Sequence, residues 1–122
     1  MLLHDQQQCT VHYASCKQDC QVGGKRMIGI IGAMDEEVAM LKEKLTEVQV
    51  ETKAAMDFYK GKLEGKDVVV VRSGIGKVNA AMCAQILADV YHADHVINTG
   101  IAGSLKAEIN IGDIVLSTDA LQ

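Results

Sequence analysis

The chain has 122 residues, a formal net charge of -4, 48% hydrophobic residues and only 3% aromatic ones, so it has material for one core, built from aliphatic side chains rather than rings. Its Lys and Arg residues are scattered, which argues against a nucleic-acid surface, and no apolar run approaches the length of a membrane span. Asp5 interrupts the apolar start at Met1–Leu3, which is too short for a secretory signal; a cytoplasmic location with neither nucleic-acid nor membrane partners is expected.

Residues 1–26 carry a Gln run, Gln6 to Gln8, and neither a helical nor a strand period. They read as a disordered or non-native leader. Gly23-Gly24-Lys25-Arg26 can be spelled by purine-rich codons resembling a ribosome-binding site placed before Met27, so translation is expected to start at Met27. Cys9, Cys16 and Cys20 lie here with His4 and His12. Their spacing fits no standard zinc pattern, and free thiols are expected rather than metal ligands or disulfides.

Regular patterning begins at Met27. Met27 to Gly32 is an unalternating apolar run, as in a strand buried on both faces. Asp35 to Leu45 is a predicted helix, with Met34, Val38, Leu41 and Leu45 on one stripe. Phe58 to Leu63 and Asp67 to Arg72 are predicted strands joined by a hairpin turn at Glu64-Gly65-Lys66. A second, Ala-rich helix is predicted over Lys77 to His92, then strands over His95 to Thr99 and Ile114 to Ser117. Strands interleaved with helices define an α/β fold with a mostly parallel mixed sheet. Two helices are too few to cover both faces of so many strands, so residues 27–122 read as the front portion of a larger domain.

Three stretches lie where the carboxyl ends of strands meet, the edge at which open α/β sheets bind ligands. The first is Asp35-Glu36-Glu37. Acids in a helix's first turn are favoured by the exposed N–H groups and the helix dipole, which accounts for Asp35 and Glu36. Glu37 falls close to Met34 and can lean over the end of the first strand, where a carboxylate could activate water. The second is Ser73-Gly74-Ile75-Gly76-Lys77. It is not a phosphate-cradling Walker loop, because Val71 and Val78 stand where Gly and Ser or Thr are required; alone it is an ordinary strand-to-helix turn. The third, Asn98 to Ser104, reads as a small-residue loop whose N–H groups could face a sugar or an oxyanion.

Together, IGIIGAMDEEV, SGIGKVNAA, INTGIAGSL and IGDIVLSTDA resemble the N-terminal half of the methylthioadenosine/S-adenosylhomocysteine nucleosidases, in the nucleoside phosphorylase-like superfamily. The resemblance covers Met27 to about Ala120. It implies an incomplete three-layer α/β/α fold and hydrolysis of the N-glycosidic bond of methylthioadenosine or S-adenosylhomocysteine, releasing adenine and methylthioribose or S-ribosylhomocysteine. It also implies no cofactor or metal, a small thio-nucleoside as the ligand, and a homodimer at full length. By the same resemblance Glu37 activates the attacking water, Met34 lines the ribose and alkylthio side, Ile75 touches the alkylthio group, and Gly100, Ile101, Ala102 and Gly103 lie under the ribose and the water. Ile101 stands where some relatives carry Ser, and Ser104 replaces a more usual Gly. The family's leaving-group carboxylate, ribose-gripping Glu and most adenine contacts belong to a second half, so the chain as given is expected to be inactive. A phosphorylase would need a cation for phosphate at the first strand's end, where this chain carries three acids. Hydrolysis is therefore expected, with a futalosine-type hydrolase, a phosphorylase or a non-catalytic remnant as the alternatives.

Overall fold

The computed structural model describes residues 26–117 and the backbone of residues 8–15. In chain order the elements are β1 (Gln8–Ser15), β2 (Met27–Gly32), α1 (Asp35–Lys44), β3 (Thr46–Lys53), β4 (Met56–Leu63), β5 (Lys66–Arg72), α2 (Lys77–Asp89), β6 (His95–Ala102) and β7 (Ile114–Leu116). The strands form one sheet in the order β3-β4-β5-β2-β6-β1-β7. Its β5-β2-β6 part is parallel, with Ile30 opposite both Val70 and Ile97, and β1 pairs in parallel with β7. The β3–β4, β4–β5 and β1–β6 ladders are antiparallel.

The apolar runs of β2 and β5 are explained by a helix on each side. On one face Val38 and Leu45 of α1 pack with Ile30, Val68 and Val70; on the other, Cys83 and Leu87 of α2 pack with Ile31, Val69, Val71, Phe58 and Tyr91. Val69, Val70 and Val71 are wholly buried. Each such aliphatic side chain contributes about 1.5–3 kcal/mol over its exposed state. Tyr91 stacks on Phe58 at 5.2 Å and donates its hydroxyl to Glu51, fastening the C-terminal end of α2 to the outer hairpin.

Two strands depart from expectation. β3 has no buried residue, so burial alone gives it little signature. Its turn into β4 is Ala54-Ala55, both at positive φ (49° and 59°). A two-residue hairpin of this kind usually announces itself with Asn-Gly or Asp-Gly. Residues 8–15, expected to be irregular, form β1, paired with β6 from Gln8 opposite Ala102 to Ser15 opposite His95. This ladder is made through backbone N–H and C=O groups, and an open strand edge recruits a partner without a side-chain pattern. The other leader features, including Gln6, Cys16, Cys20, His4 and Gly23 to Lys25, and the side chains of Cys9 and His12, lie outside the described residues.

Candidate active site at the carboxyl end of the parallel strands

The site is built by the end of β2 and the start of α1. After Gly32 the chain leaves the sheet, Ala33 and Met34 form the connection, and Met34 is the residue before the helix, in extended conformation (φ -122°, ψ 159°). Met34 has no side-chain oxygen to cap the helix. Glu37, third residue of α1, reaches back instead: its Oε2 accepts from the Met34 N–H at 3.0 Å and from the Ala33 N–H at 2.7 Å. The Met34 bond is the reciprocal half of a capping box, and by itself would make Glu37 structural.

A third bond has no such local explanation. Oε1 of Glu37 accepts from the N–H of Ile101, 64 positions away on β6, at 3.0 Å. One carboxylate thus joins the ends of two neighbouring parallel strands. A Cβ built on Gly100 would lie 2.7 Å from Oε1, and one on Gly32 would lie 2.6 Å from Val38 Cγ1 and 3.2 Å from Glu37 Cβ. Glycine at both positions is a steric condition for the carboxylate's placement. An ionised carboxylate offers about four lone-pair positions. Three are taken by amides of the described residues, which leaves one acceptor position on Oε1.

Neighbouring groups hold this corner in place. The half-exposed Arg72 at the end of β5 forms an ion pair with Asp35, its Nε 3.2 Å from Oδ1, and Lys42 lies 3.8 Å from the same oxygen. Buried Ser73 ties the end of β5 to that of β2: its N–H donates to the Gly32 carbonyl at 2.9 Å, and its hydroxyl donates to the Gly74 carbonyl at 2.8 Å. Asp35 is therefore more than a helix-start charge, because it neutralises the one arginine the described structure brings to this end of β5. Glu36 is exposed.

Met34 sits at the mouth of the site, 36% exposed. Gly100, Ile101 and Ala102, expected in a loop, are instead the last residues of β6. The strand persists because β1 supplies ladder partners out to Ala102, whereas β2 pairs only as far as Asn98. Gly103 lies just beyond the strand with open space around it. Ile75 is 76% exposed in the β5–α2 turn, and its carbonyl accepts from Asn79 at 2.9 Å; no contact ties it to the Glu37 corner. The roles of Ser73 and of the Arg72–Asp35 pair carry no spacing signal in the sequence. Gly32 could have been singled out, as a glycine directly before a two-residue link to an acidic helix start.

A three-layer α/β/α domain with its acidic group at the carboxyl end of the parallel strands is the architecture of the nucleoside phosphorylase-like proteins. The chain belongs to the Phosphorylase superfamily, whose family model matches residues 27–122. It is similar to the 5'-methylthioadenosine/S-adenosylhomocysteine nucleosidase of Colwellia psychrerythraea, 53% identical over 91 residues covering 75% of this chain and 37% of that protein. It is similar also to the one from Staphylococcus carnosus, 49% identical over 94 residues covering 77% of this chain and 41% of the relative. The chain thus spans about two fifths of the length of these relatives. Among solved structures, the Colwellia nucleosidase in complex with adenine superposes with a TM-score of 0.58 at 51% identity, covering 60% of this chain and 30% of that one. Futalosine hydrolase of Helicobacter pylori superposes with a TM-score of 0.52 at 27% identity, covering 57% and 30%.

Proposed function

We propose that this chain supplies the water-activating side of a nucleosidase that hydrolyses the N-glycosidic bond of methylthioadenosine and S-adenosylhomocysteine, releasing adenine and methylthioribose or S-ribosylhomocysteine. The single observation that carries the reading is the Glu37 carboxylate, held by amides from two strand ends with one lone pair left over. A water donating to that lone pair is oriented toward the sugar. Its oxygen bonds to the anomeric carbon as the bond to the adenine nitrogen breaks and the bonding electrons leave with the base. Glu37 takes the water's proton, and its negative charge favours the oxocarbenium-like transition state. The proton that the departing base needs comes from the part of the relatives that this chain does not cover.

Water rather than phosphate is favoured as the nucleophile, because Arg72 is already engaged by Asp35 and three carboxylates in the first turn of α1 repel an anion. Met34 and Ile75 are proposed to line the alkylthio side, and Gly100 to Gly103 the ribose side. Exposed Ile75, Val78 and Met82 form an apolar stripe at the start of α2, which supports a homodimer for the complete protein. A place in methionine salvage and a cytoplasmic location belong to the same proposal; among the described residues no helix is long and apolar enough to cross a membrane.

The test is a chimera in which residues 27–122 replace the matching segment of the Colwellia nucleosidase. Glu37→Gln keeps the shape of the side chain and removes the base. Adenine release should fall about 100-fold or more, the usual scale for a positioned general base, while the thermal midpoint stays near that of the parent chimera. Unchanged turnover would remove Glu37 from the mechanism.

A further inference from the structure

The turn that carries Ile75 joins β5 to α2 and holds a glycine in the left-handed region on each side of it, Gly74 at φ 80° and Gly76 at φ 105°. Glycine leaves the backbone on either side of Ile75 conformationally free. The β5 side of the turn is fixed: buried Ser73 donates its N–H to the Gly32 carbonyl and its hydroxyl to the Gly74 carbonyl. The Ile75 side chain, 76% exposed, gives no such anchor. α2 starts without a side-chain cap, because the residue before it is Gly76. The Gly76 carbonyl opens the helical ladder by accepting from the Ala80 N–H at 3.1 Å. The Ile75 carbonyl, one residue earlier, accepts from Asn79 Nδ2 at 2.9 Å. The same amide lies over Gly74, where a Cβ would stand 3.2 Å from Nδ2. Ala would suit this helical position better than Asn, so Asn79 weakens α2 locally and holds the turn.

We propose that Asn79 is a positioning residue that sets the affinity for the alkylthio group by tethering Ile75. The inference rests on the placement of Ile75 on the alkylthio side under the proposed function, and Asn79 acts through Ile75 alone. An Ile75 already held in place loses little freedom when the thioether arrives. An untethered one must be ordered by the ligand, which weakens binding. The alkylthio group sits on the 5' carbon, away from the bond that breaks at the anomeric carbon. Its contact is therefore felt equally in the ground state and the transition state, and its loss raises KM without lowering kcat. Glu37 and Asn79 hold the same place in their helices, the third residue of α1 and of α2. Glu37 accepts from the amides before its helix, whereas Asn79 donates to the carbonyl before its own. One places the base and the other places the alkylthio wall.

The experiment uses Asn79→Asp, which keeps the shape of the side chain and removes the donor. It also spares the helix, since an acid in the first turn is favoured by the dipole. In the 15N-labelled 122-residue chain, the order parameter of the Ile75 amide should fall in the variant while those of β5 hold. In the chimera carrying residues 27–122, KM for methylthioadenosine should rise about fivefold, the scale of one net hydrogen bond, with kcat within about twofold of the parent. Inhibition by adenosine, which has a 5'-hydroxyl and no alkylthio group, should not change. Ile75→Ala should raise the same KM, and adding Asn79→Asp to it should raise KM no further. An unaltered order parameter at Ile75 overturns the proposal. So does equal weakening of methylthioadenosine and adenosine, and so do additive effects in the double variant. If Ile75→Ala raises KM and Asn79→Asp does not, the tether fails and the placement of Ile75 stands. If neither raises it, the placement of Ile75 fails and the tether's role in affinity falls with it.

Discussion

The sheet has two unlike halves. In the first half, β5 and β2 are packed on both faces: Val69, Val70, Val71, Phe58, Cys83 and Leu87 are wholly buried. Among the described residues from His95 onward none is buried, and Leu105, Ile111, Ile114 and Leu116 are all more than 60% exposed. Both halves are apolar in sequence, so hydrophobicity does not distinguish them. What distinguishes them is cover. α1 and α2 lie over β5 and β2, and neither closes over β6. Glu37 sits on the seam, anchored to the first half by Ala33 and Met34 and to the second by Ile101.

The comparison is broken most forcefully by a core truncation in each half. Phe58→Ala should cost about 3–5 kcal/mol, whereas Leu105→Ala should stay within about 0.5 kcal/mol. Urea titration of both variants checks this, and equal losses would mean that the second half is packed after all. On the seam, Gly100→Ala drives a methyl into Glu37 Oε1. Overpacking of this kind costs about 1–3 kcal/mol, and the Ile101 amide should lose its hydrogen-exchange protection while the amides of β5 keep theirs.

Within the first half, the Ala54-Ala55 turn holds two non-glycine residues at positive φ. Replacing the pair by Asn-Gly should stabilise the chain by about 1 kcal/mol, read as a rise in urea midpoint; no change would mean the turn is unstrained. The smallest effect is in alkaline solution. Burial, with the hydrogen bond to Glu51, pushes the Tyr91 hydroxyl up to about 12 from 10.0. A phenol whose folded pKa is raised contributes stability that is intact below the unfolded value and is lost as pH climbs through the folded one. The urea midpoint should therefore decline between pH 10.0 and about 12, and Tyr91→Phe should make that decline shallower. An identical slope in the variant would detach Tyr91 from the effect.

Much of this was legible in the chain. The unalternating run of β2 announced a strand covered on both sides, Asp67 to Arg72 was legible as a strand, and Glu64-Gly65 announced the β4–β5 hairpin. β3 was not legible, because it packs one face of nothing and its turn uses Ala-Ala. β1 was not, because its ladders with β6 and β7 are made by backbone groups that any residue carries. At the site, Glu37 could be separated from Asp35 and Glu36 by helical phase and by resemblance. The amide cradle could not, since Ala33 and Ile101 contribute N–H groups that any residue carries, and their convergence depends on the β2–β6 register. The same holds for Arg72, whose pairing with Asp35 depends on β5 lying beside β2.

The central claim is that one carboxylate is held at once by amides from both halves of the sheet. Backbone amide chemical shifts of the 15N-labelled chain and of its Glu37→Ala variant test it directly, read at Ala33, Met34 and Ile101. The account predicts that all three amide protons move upfield together in the variant, because each loses the same acceptor. An Ile101 resonance that stays still while the other two move would contradict it.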